Sequence, residues 1–107
     1  MSDENYGEDV AKYTESVDEA AVAGIAKHLG IALRNRDSSL VSCSDKTEKE
    51  RVRESWLKKK LALTDDDASL DAAVDAVCAT MSADTTKHRV TFYYLLAEHY
   101  GKLADLH

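Results

Sequence analysis

The stretch that decides the fold is VTFYYLLAEHY, residues 90–100, which holds four of the seven aromatic residues of the chain. At helical spacing, Val90, Tyr93, Tyr94 and Ala97 fall on one side of the axis. A second apolar row falls on another side and consists of Phe92, Leu95, Leu96 and Leu103. A helix that is apolar around most of its circumference is buried, with neighbours on more than one side. The stretch therefore predicts a buried C-terminal helix enclosed by the rest of the chain.

Composition predicts an all-α protein. A chain of 107 residues favours one domain, and 44% hydrophobic with 32% charged residues is typical of a globular protein. The absence of proline and the small number of glycines, four, favour helices. We expect a compact bundle of about five helices around the buried C-terminal helix. Residues 1–8 are predicted to be a disordered N-terminal tail, and residues 9–107 a single helical domain.

Location and redox state are predicted from two further features. No apolar run approaches the length of a membrane span, and the acidic N-terminus lacks the pattern of a signal peptide. We therefore predict a cytoplasmic protein without membrane contact. Cys43 and Cys78 lie 35 positions apart, and in that compartment such a pair is expected to be two reduced thiols.

The first long helix is predicted to begin near Ser16. Ser16 and Glu19 have the spacing of a capping box, and Asp18 is a rival cap. Gly30 is a possible C-terminal cap, but the apolar stripe continues beyond it, so we expect the helix to run on to Arg34. Lys27 faces outward. The stripe consists of Ala21, Val22, Ile25, Leu29 and Leu33.

Residues 35–44 are predicted to form a short helix. Asp37 is placed to cap it, and Leu40, Val41 and Cys43 would then face the core. The alternation of polar and apolar residues also fits an extended segment. We disfavour that interpretation because a lone strand would have no partner in an all-α protein.

Two more helices follow with clear patterns. Asp45 or Thr47 caps a helix over 46–60 that buries Val52, Trp56 and Leu57. Thr64 is predicted to cap the next helix, 65–81. That helix has the most regular apolar stripe in the chain, which consists of Leu70, Ala73, Val74, Val77, Cys78 and Met81.

Charge is segregated along the chain. The net charge is −6, but residues 46–60 carry +4, whereas residues 1–23 and 61–84 carry −6 each. The basic helix is predicted to lie beside the acidic elements, where the charges offset each other. The alternatives are self-association and a basic patch for an anion or nucleic acid, although the overall acidity disfavours nucleic acid. The residues suspected for such a patch are Arg34, Arg36, Lys58, Lys59 and Lys60.

No motif predicts a catalytic, cofactor or metal site. The acidic run 65–71 resembles the start of a calcium loop, but Leu70 and Ala76 stand where glycine and glutamate are required. No histidine or cysteine has the spacing of a zinc motif. Glu98 and His99 are the one titratable pair predicted to be partly buried, and a structural role at the core margin is favoured over acid–base catalysis.

Three stretches carry a family resemblance: DEAAVAGIAKHLG at 18–30, RVRESWLKKKL at 51–61 and RVTFYYLLAE at 89–98. Together they resemble a family of small bacterial proteins known only as a domain of unknown function. The resemblance covers about residues 9–106. It implies a bacterial, single-domain helical protein and brings no activity, cofactor or catalytic residue with it.

The functional prediction is a noncatalytic helical module that acts through protein contacts, possibly as a homodimer. One alternative is a binder of anionic ligands or nucleic acid through the basic helix 46–60. Another is a small enzyme that uses Glu98 and His99. No cofactor is expected.

Overall fold

The computed structural model describes residues 6–30, 39–83 and 87–106. These residues confirm the all-α class and a compact bundle around the C-terminal helix. The elements in chain order are α1 (Tyr6–Val10), α2 (Glu19–Leu29), α3 (Lys46–Arg51), a π-helix (Val52–Lys60), α4 (Asp67–Thr80), α5 (Arg89–His99) and a 3-10 helix (Leu103–Leu106).

Helix α5 lies at the centre of the bundle. Every residue from 89 to 97 is buried, and α1, α2, α4 and the 3-10 helix all pack against it. Its polar side chains form hydrogen bonds to the surrounding chain. The Tyr94 hydroxyl accepts a hydrogen bond from the backbone N–H of Asp18 at 2.9 Å, and the Thr91 hydroxyl donates one to Asp9. The prediction of an enclosed aromatic helix is confirmed.

Aspartates cap three helices. The carboxylates of Asp18, Asp45 and Asp66 accept hydrogen bonds from backbone N–H groups in the first turns of α2, α3 and α4. Asp18 and Asp45 were among the predicted caps. Ser16 and Thr64 do not cap α2 and α4, because each of those helices begins two residues later than such a cap would require.

Helix α2 ends at Leu29, so the predicted continuation to Arg34 is wrong. Gly30 has a φ of +45°, and its N–H bonds to the carbonyl of Ala26. A left-handed residue of this kind ends a helix, and glycine adopts it without steric cost. Residues 31–38, including Leu33 and Arg34, lie outside the described residues.

The predicted short helix over 35–44 is also wrong for its described part, 39–44. Leu40 forms an antiparallel bridge with His88, and the Val41 N–H donates to the Lys87 carbonyl at 2.8 Å. The extended segment does have a partner, which is the chain just before α5. Asp37, the predicted cap, lies outside the described residues.

The prediction of two reduced cysteines is wrong, since Cys43 and Cys78 form a disulfide. The extended segment 39–44 runs beside the C-terminal part of α4 and places the two Cα atoms 5.9 Å apart, a spacing that a disulfide bridges. A helix at 35–44 would not have fixed this approach. The bridge joins the one extended segment of the described chain to the bundle.

The N-terminal end of the structure begins with α1 at Tyr6, inside the segment predicted as a tail. Val10 at the end of α1 is fully buried. Residues 1–5 of the predicted tail lie outside the described residues.

Candidate functional site

The basic helix changes its hydrogen-bond register along its length. Residues 46–51 are α-helical, whereas residues 52–60 form a π-helix, in which N–H groups bond to the fifth residue back. The N–H of Leu61 accordingly bonds to the Trp56 carbonyl at 2.9 Å. In an α-helix, residues five apart are turned by about 140° from each other. In the wider π-helix this angle is smaller, and Arg53 and Lys58 both pair with acids of α4.

Three bases of this helix pair with three acids of α4, which confirms the prediction that the basic helix lies beside an acidic one. The Arg53 guanidinium is the most engaged base, because it also bonds to Glu54 at 2.8 Å. The acids stay about half exposed, so the network lies at the surface. The pairs are Arg53 Nη1 with Asp71 Oδ1 (3.0 Å), Lys49 Nζ with Asp75 Oδ1 (3.0 Å) and Lys58 Nζ with Asp67 Oδ1 (2.6 Å).

The pKa values of this network follow from the pairing. Hydrogen bonds from Lys58 and then Arg53 lower the pKa of Glu54. The pKa of Lys58 is raised by its hydrogen bonds to Asp67 and then Glu54. The pKa of Arg53 is raised by its hydrogen bonds to Glu54 and then Asp71. Glu54, Lys58 and Arg53 are therefore charged at neutral pH.

Of the five residues predicted for anion binding, the structure describes the three lysines. Lys58 is engaged by Asp67 and Glu54. Lys59 and Lys60 are exposed at the end of the π-helix. Arg34 and Arg36 lie outside the described residues, so the predicted patch is described only at its lysines.

A second charged cluster, which the sequence analysis missed, is buried at the start of α5. Arg89 is only 6% exposed and donates from Nη2 to Glu48 Oε1 at 2.5 Å and to the Leu40 carbonyl at 3.0 Å. Its Nη1 donates to the Tyr93 hydroxyl at 3.2 Å. One guanidinium thus joins the extended segment, α3 and α5. The available signal was a cation in the first turn of an apolar helix, where the helix dipole disfavours positive charge.

Aromatic rings continue this cluster toward the surface. Tyr93 stacks on Trp56 with ring centroids 4.5 Å apart, and Trp56 Nε1 donates to the Tyr93 carbonyl at 3.2 Å. The His28 ring lies 5.4 Å from Trp56 and is exposed on its outer side. Partial burial, and then the charge of Lys60, lower the pKa of His28. The column therefore begins at a neutral imidazole and ends at a buried ion pair.

The buried cluster positions helices, and its Arg89 and Tyr93 do not titrate near neutral pH. Burial by itself would lower the pKa of Arg89, but the hydrogen bond to Glu48 and the contact with Tyr93 outweigh it and raise that pKa. Burial raises the pKa of Tyr93. The chemistry of the cluster is that of a permanent cation held in place by oxygen atoms.

Glu98 and His99 are both exposed, so their predicted partial burial is wrong. Glu98 Oε2 accepts a hydrogen bond from the Thr14 hydroxyl at 3.0 Å, and the His99 ring packs edge-on against Tyr100 at 4.9 Å. They border an open groove of about 430 Å³ between α1, α4 and α5. The structure gives these two side chains surface contacts of an ordinary kind.

Another surface feature is the exposed face of α4. The described core residues of this helix are on one side, and alanines occupy the opposite side at spacings of four, four and three. Asp75 flanks this alanine face on one edge, and Thr80 flanks it on the other. The alanine face consists of Ala68, Ala72, Ala76 and Ala79, all exposed.

Two kinds of feature, metal sites and membrane-spanning helices, are absent from the described residues. Within 6–30, 39–83 and 87–106, no group of three or more histidine, cysteine, aspartate or glutamate side chains is arranged to hold a metal ion. In the same parts of the chain, no helix combines the length and apolarity needed to cross a membrane.

Comparison with known proteins identifies the family. Residues 5–104 match the family model described as "Protein of unknown function (DUF2853)", and the chain therefore belongs to that family. No curated protein matches the chain. The family resemblance seen in the sequence is confirmed, and it assigns no specific function.

Proposed function

We propose that this DUF2853 protein is a noncatalytic helical interaction module that self-associates through the alanine face of α4. The observation that carries the proposal is the face itself. Four alanines share one side of a fourteen-residue helix, and that side is turned away from the bundle. Its side chains offer methyl groups to a partner and leave no long side chain to be ordered or desolvated.

Small side chains allow two helices to approach closely. Helix axes pack about 8–10 Å apart, and the separation depends on the side chains at the contact. Alanine also loses no rotamer freedom on burial. A fourteen-residue helix is about 21 Å long, so one face of it offers a contact of limited area. Contacts of this size are typical of weak, transient complexes, and we expect association only at high protein concentration.

A second copy of the chain is the proposed occupant of this face, and the charges beside it do not oppose that. Self-association is expected to be two-fold and isologous, so that each flank of α4 meets the same flank of its partner. The flank that carries Asp75 would seem to place like charges together, but Asp75 is paired with Lys49 at 3.0 Å. Two such pairs meeting across an axis form a group of four charges with alternating sign. The acidic flank is therefore compatible with a second copy.

The proposal includes a cytoplasmic location. Fractionation of the native cell, with a known cytoplasmic protein and a known secreted protein as markers, tests this part. Recovery of the protein with the secreted marker would contradict it and would leave the self-association proposal open to its own test.

The self-association test compares one substitution on the face with a matched one elsewhere. Ala76→Glu puts a charge at the centre of the alanine face, whereas Ala23→Glu puts the same charge on the exposed side of α2. Glutamate is a good helix former, so neither change should break its helix. Sedimentation velocity over a concentration series should show dimers for the wild type and for Ala23→Glu, and monomers for Ala76→Glu.

Two results would overturn the proposal. One is a wild-type protein that stays strictly monomeric at about millimolar concentration, beyond the range of weak complexes. The other is a dimer that persists unchanged in Ala76→Glu, because its interface would then lie elsewhere. Circular dichroism of each variant confirms that the helices are intact.

A further inference from the structure

The disulfide has a position that the interaction proposal does not use. Cys43 and Cys78 are half-buried, in contrast to the fully buried side chains of the core. They line an open cleft of about 480 Å³ at the edge of the bundle. The two cysteines therefore line a cleft that is open to solvent. The other lining residues are Val41, Ser42, Ser44, Ser82 and Lys87.

The disulfide fastens a segment whose other attachments are noncovalent, among them the buried side chain of Val41 in the core. Residues 39–44 form one bridge to the chain before α5, with the Val41 N–H on the Lys87 carbonyl and the Arg89 N–H on the Ser39 carbonyl, each at 2.8 Å. A short piece of extended chain with a single bridging partner has little stability by itself. The covalent link to α4 is therefore the strongest restraint on this segment.

The fastened segment is also part of the wall around the buried cation. The Leu40 carbonyl accepts from Arg89 Nη2 at 3.0 Å, and Glu48, the ionic partner of Arg89, follows the segment in α3. Opening the disulfide would remove the restraint on Leu40 and loosen one side of the site that holds Arg89. The redox state of the two cysteines would thereby affect how the buried Arg89 guanidinium is held.

We propose that Cys43–Cys78 is a reversible redox site, reduced by thiols in the native protein, whose opening releases residues 39–44 from the bundle. The proposal is independent of self-association through α4. It rests on the open cleft that the two cysteines line, on the noncovalent nature of the segment's other attachments, and on the hydrogen bond from Arg89 to the Leu40 carbonyl.

The chemistry is ordinary thiol–disulfide exchange. A thiolate of the reductant attacks one sulfur, the S–S bond breaks, and the other cysteine leaves as a thiolate that takes a proton from water. A second reductant thiolate then attacks the mixed disulfide and releases the first cysteine. Two electrons pass to Cys43 and Cys78, and two reductant thiols become one disulfide. An ammonium group such as that of Lys87, in the same wall, favours the thiolate form of a neighbouring cysteine.

The test uses the full chain and glutathione as the probe. The folded protein is equilibrated with mixtures of reduced and oxidised glutathione, the thiols are trapped by alkylation, and the reduced fraction is measured by mass spectrometry. We expect reversible two-electron reduction in the range of ratios found in cells, with the helical circular dichroism retained. Structural disulfides resist the glutathione pool, so resistance of the bridge until the protein unfolds would overturn the proposal.

Hydrogen exchange reads the release of the segment directly. The amides of Val41 and Arg89 form the backbone hydrogen bonds between residues 39–44 and the chain at the start of α5. Both amides should exchange at least about tenfold faster in the reduced protein. The amide of Ile25 in α2 is the internal control and should not change. Equal exchange at Val41 in the two redox states would overturn the proposal.

A double variant, Cys43→Ser with Cys78→Ser, provides the open state without any reductant. It should fold and show the same fast exchange at Val41. Failure of this variant to fold would identify the disulfide as a structural staple and would likewise overturn the proposal.

Discussion

The two networks centred on Arg53 and Arg89 contain similar charged groups but differ in their exposure to solvent. The network between Arg53 and α4 joins a guanidinium to carboxylates that are about half exposed: 48% for Asp71 and 50% for Glu54. The network at Arg89 joins a guanidinium to Glu48, with side-chain exposures of 7% and 11%. Water solvates the charged groups of the network at Arg53. In the network at Arg89, the charges are stabilised almost entirely by protein atoms.

The comparison shows that a count of ion pairs says little about stability. An exposed pair replaces contacts with water that were nearly as good, so removing it has a small effect. A buried pair gains less than its short distance suggests, because both ions lost their hydration, but removing one partner leaves the other charged and without water. Glu48 already has one oxygen, Oε2, without a hydrogen bond among the described residues, and Arg51 Nη1 lies 3.6 Å away.

The largest effect is expected when the buried cation is removed. Arg89→Met should lower the free energy of unfolding by about 3–5 kcal/mol, because it leaves the Glu48 carboxylate buried and unpaired. Urea denaturation followed by circular dichroism measures the loss. In the double variant Arg89→Met with Glu48→Leu, most of it should be recovered. A single variant as stable as the wild type would mean that this pair is not buried in solution.

The second largest effect is expected at alkaline pH, where ionisation of Tyr93 should lower the free energy of unfolding. Burial raises the pKa of Tyr93 above its ordinary value of about 10, so the folded state holds this proton more tightly than the unfolded chain does. The resulting stability is complete below pH 10 and is lost as pH rises through the folded pKa. Denaturation midpoints on either side of pH 10 should therefore fall with pH.

The matched variant for that experiment is Tyr93→Phe, which should make the alkaline slope shallower. It should not abolish the slope, since burial also raises the pKa values of Tyr94 and Tyr100. A slope identical to that of the wild type would show that Tyr93 does not contribute to it.

The exposed network should respond weakly to the same kind of change. Arg53→Met should lower the free energy of unfolding only slightly and have almost no effect at high salt, because salt screens exposed charges. The measurement is the same urea denaturation, at low and high salt, with Lys59→Met as a control at an exposed residue of the same helix. A loss as large as that of Arg89→Met would contradict the contrast between the two networks.

The smallest expected effect is a change in titration at the outer end of the aromatic column. Lys60→Gln removes a nearby positive charge and should raise the pKa of His28, though not fully to its ordinary value, because burial is the larger cause of the lowering. NMR titration of the imidazole measures it. Lys59→Gln should leave that pKa unchanged, and an equal shift in both variants would point to a general effect of net charge.

The sequence alone predicted the features that depend on near neighbours. The apolar circumference of 90–100 and the stripe of 70–81 repeat within one or two turns, and both helices lie where those patterns place them. The caps at Asp18 and Asp45 act over two or three residues. The attraction between the basic helix and the acidic α4 was also predictable, because it needs only opposite charge and proximity.

Tertiary structure decided the features that join distant positions. The Cys43–Cys78 bridge spans 35 positions, and the Arg89–Glu48 pair spans 41. The pairing of Leu40 with His88 and the π-helical register of 52–60 also arose only in the packed chain. Local periodicity reports which side of a helix is apolar, but it does not report which segment packs there. A bridge, a buried ion pair or a shifted register forms only when the folded backbone brings particular atoms within bonding distance.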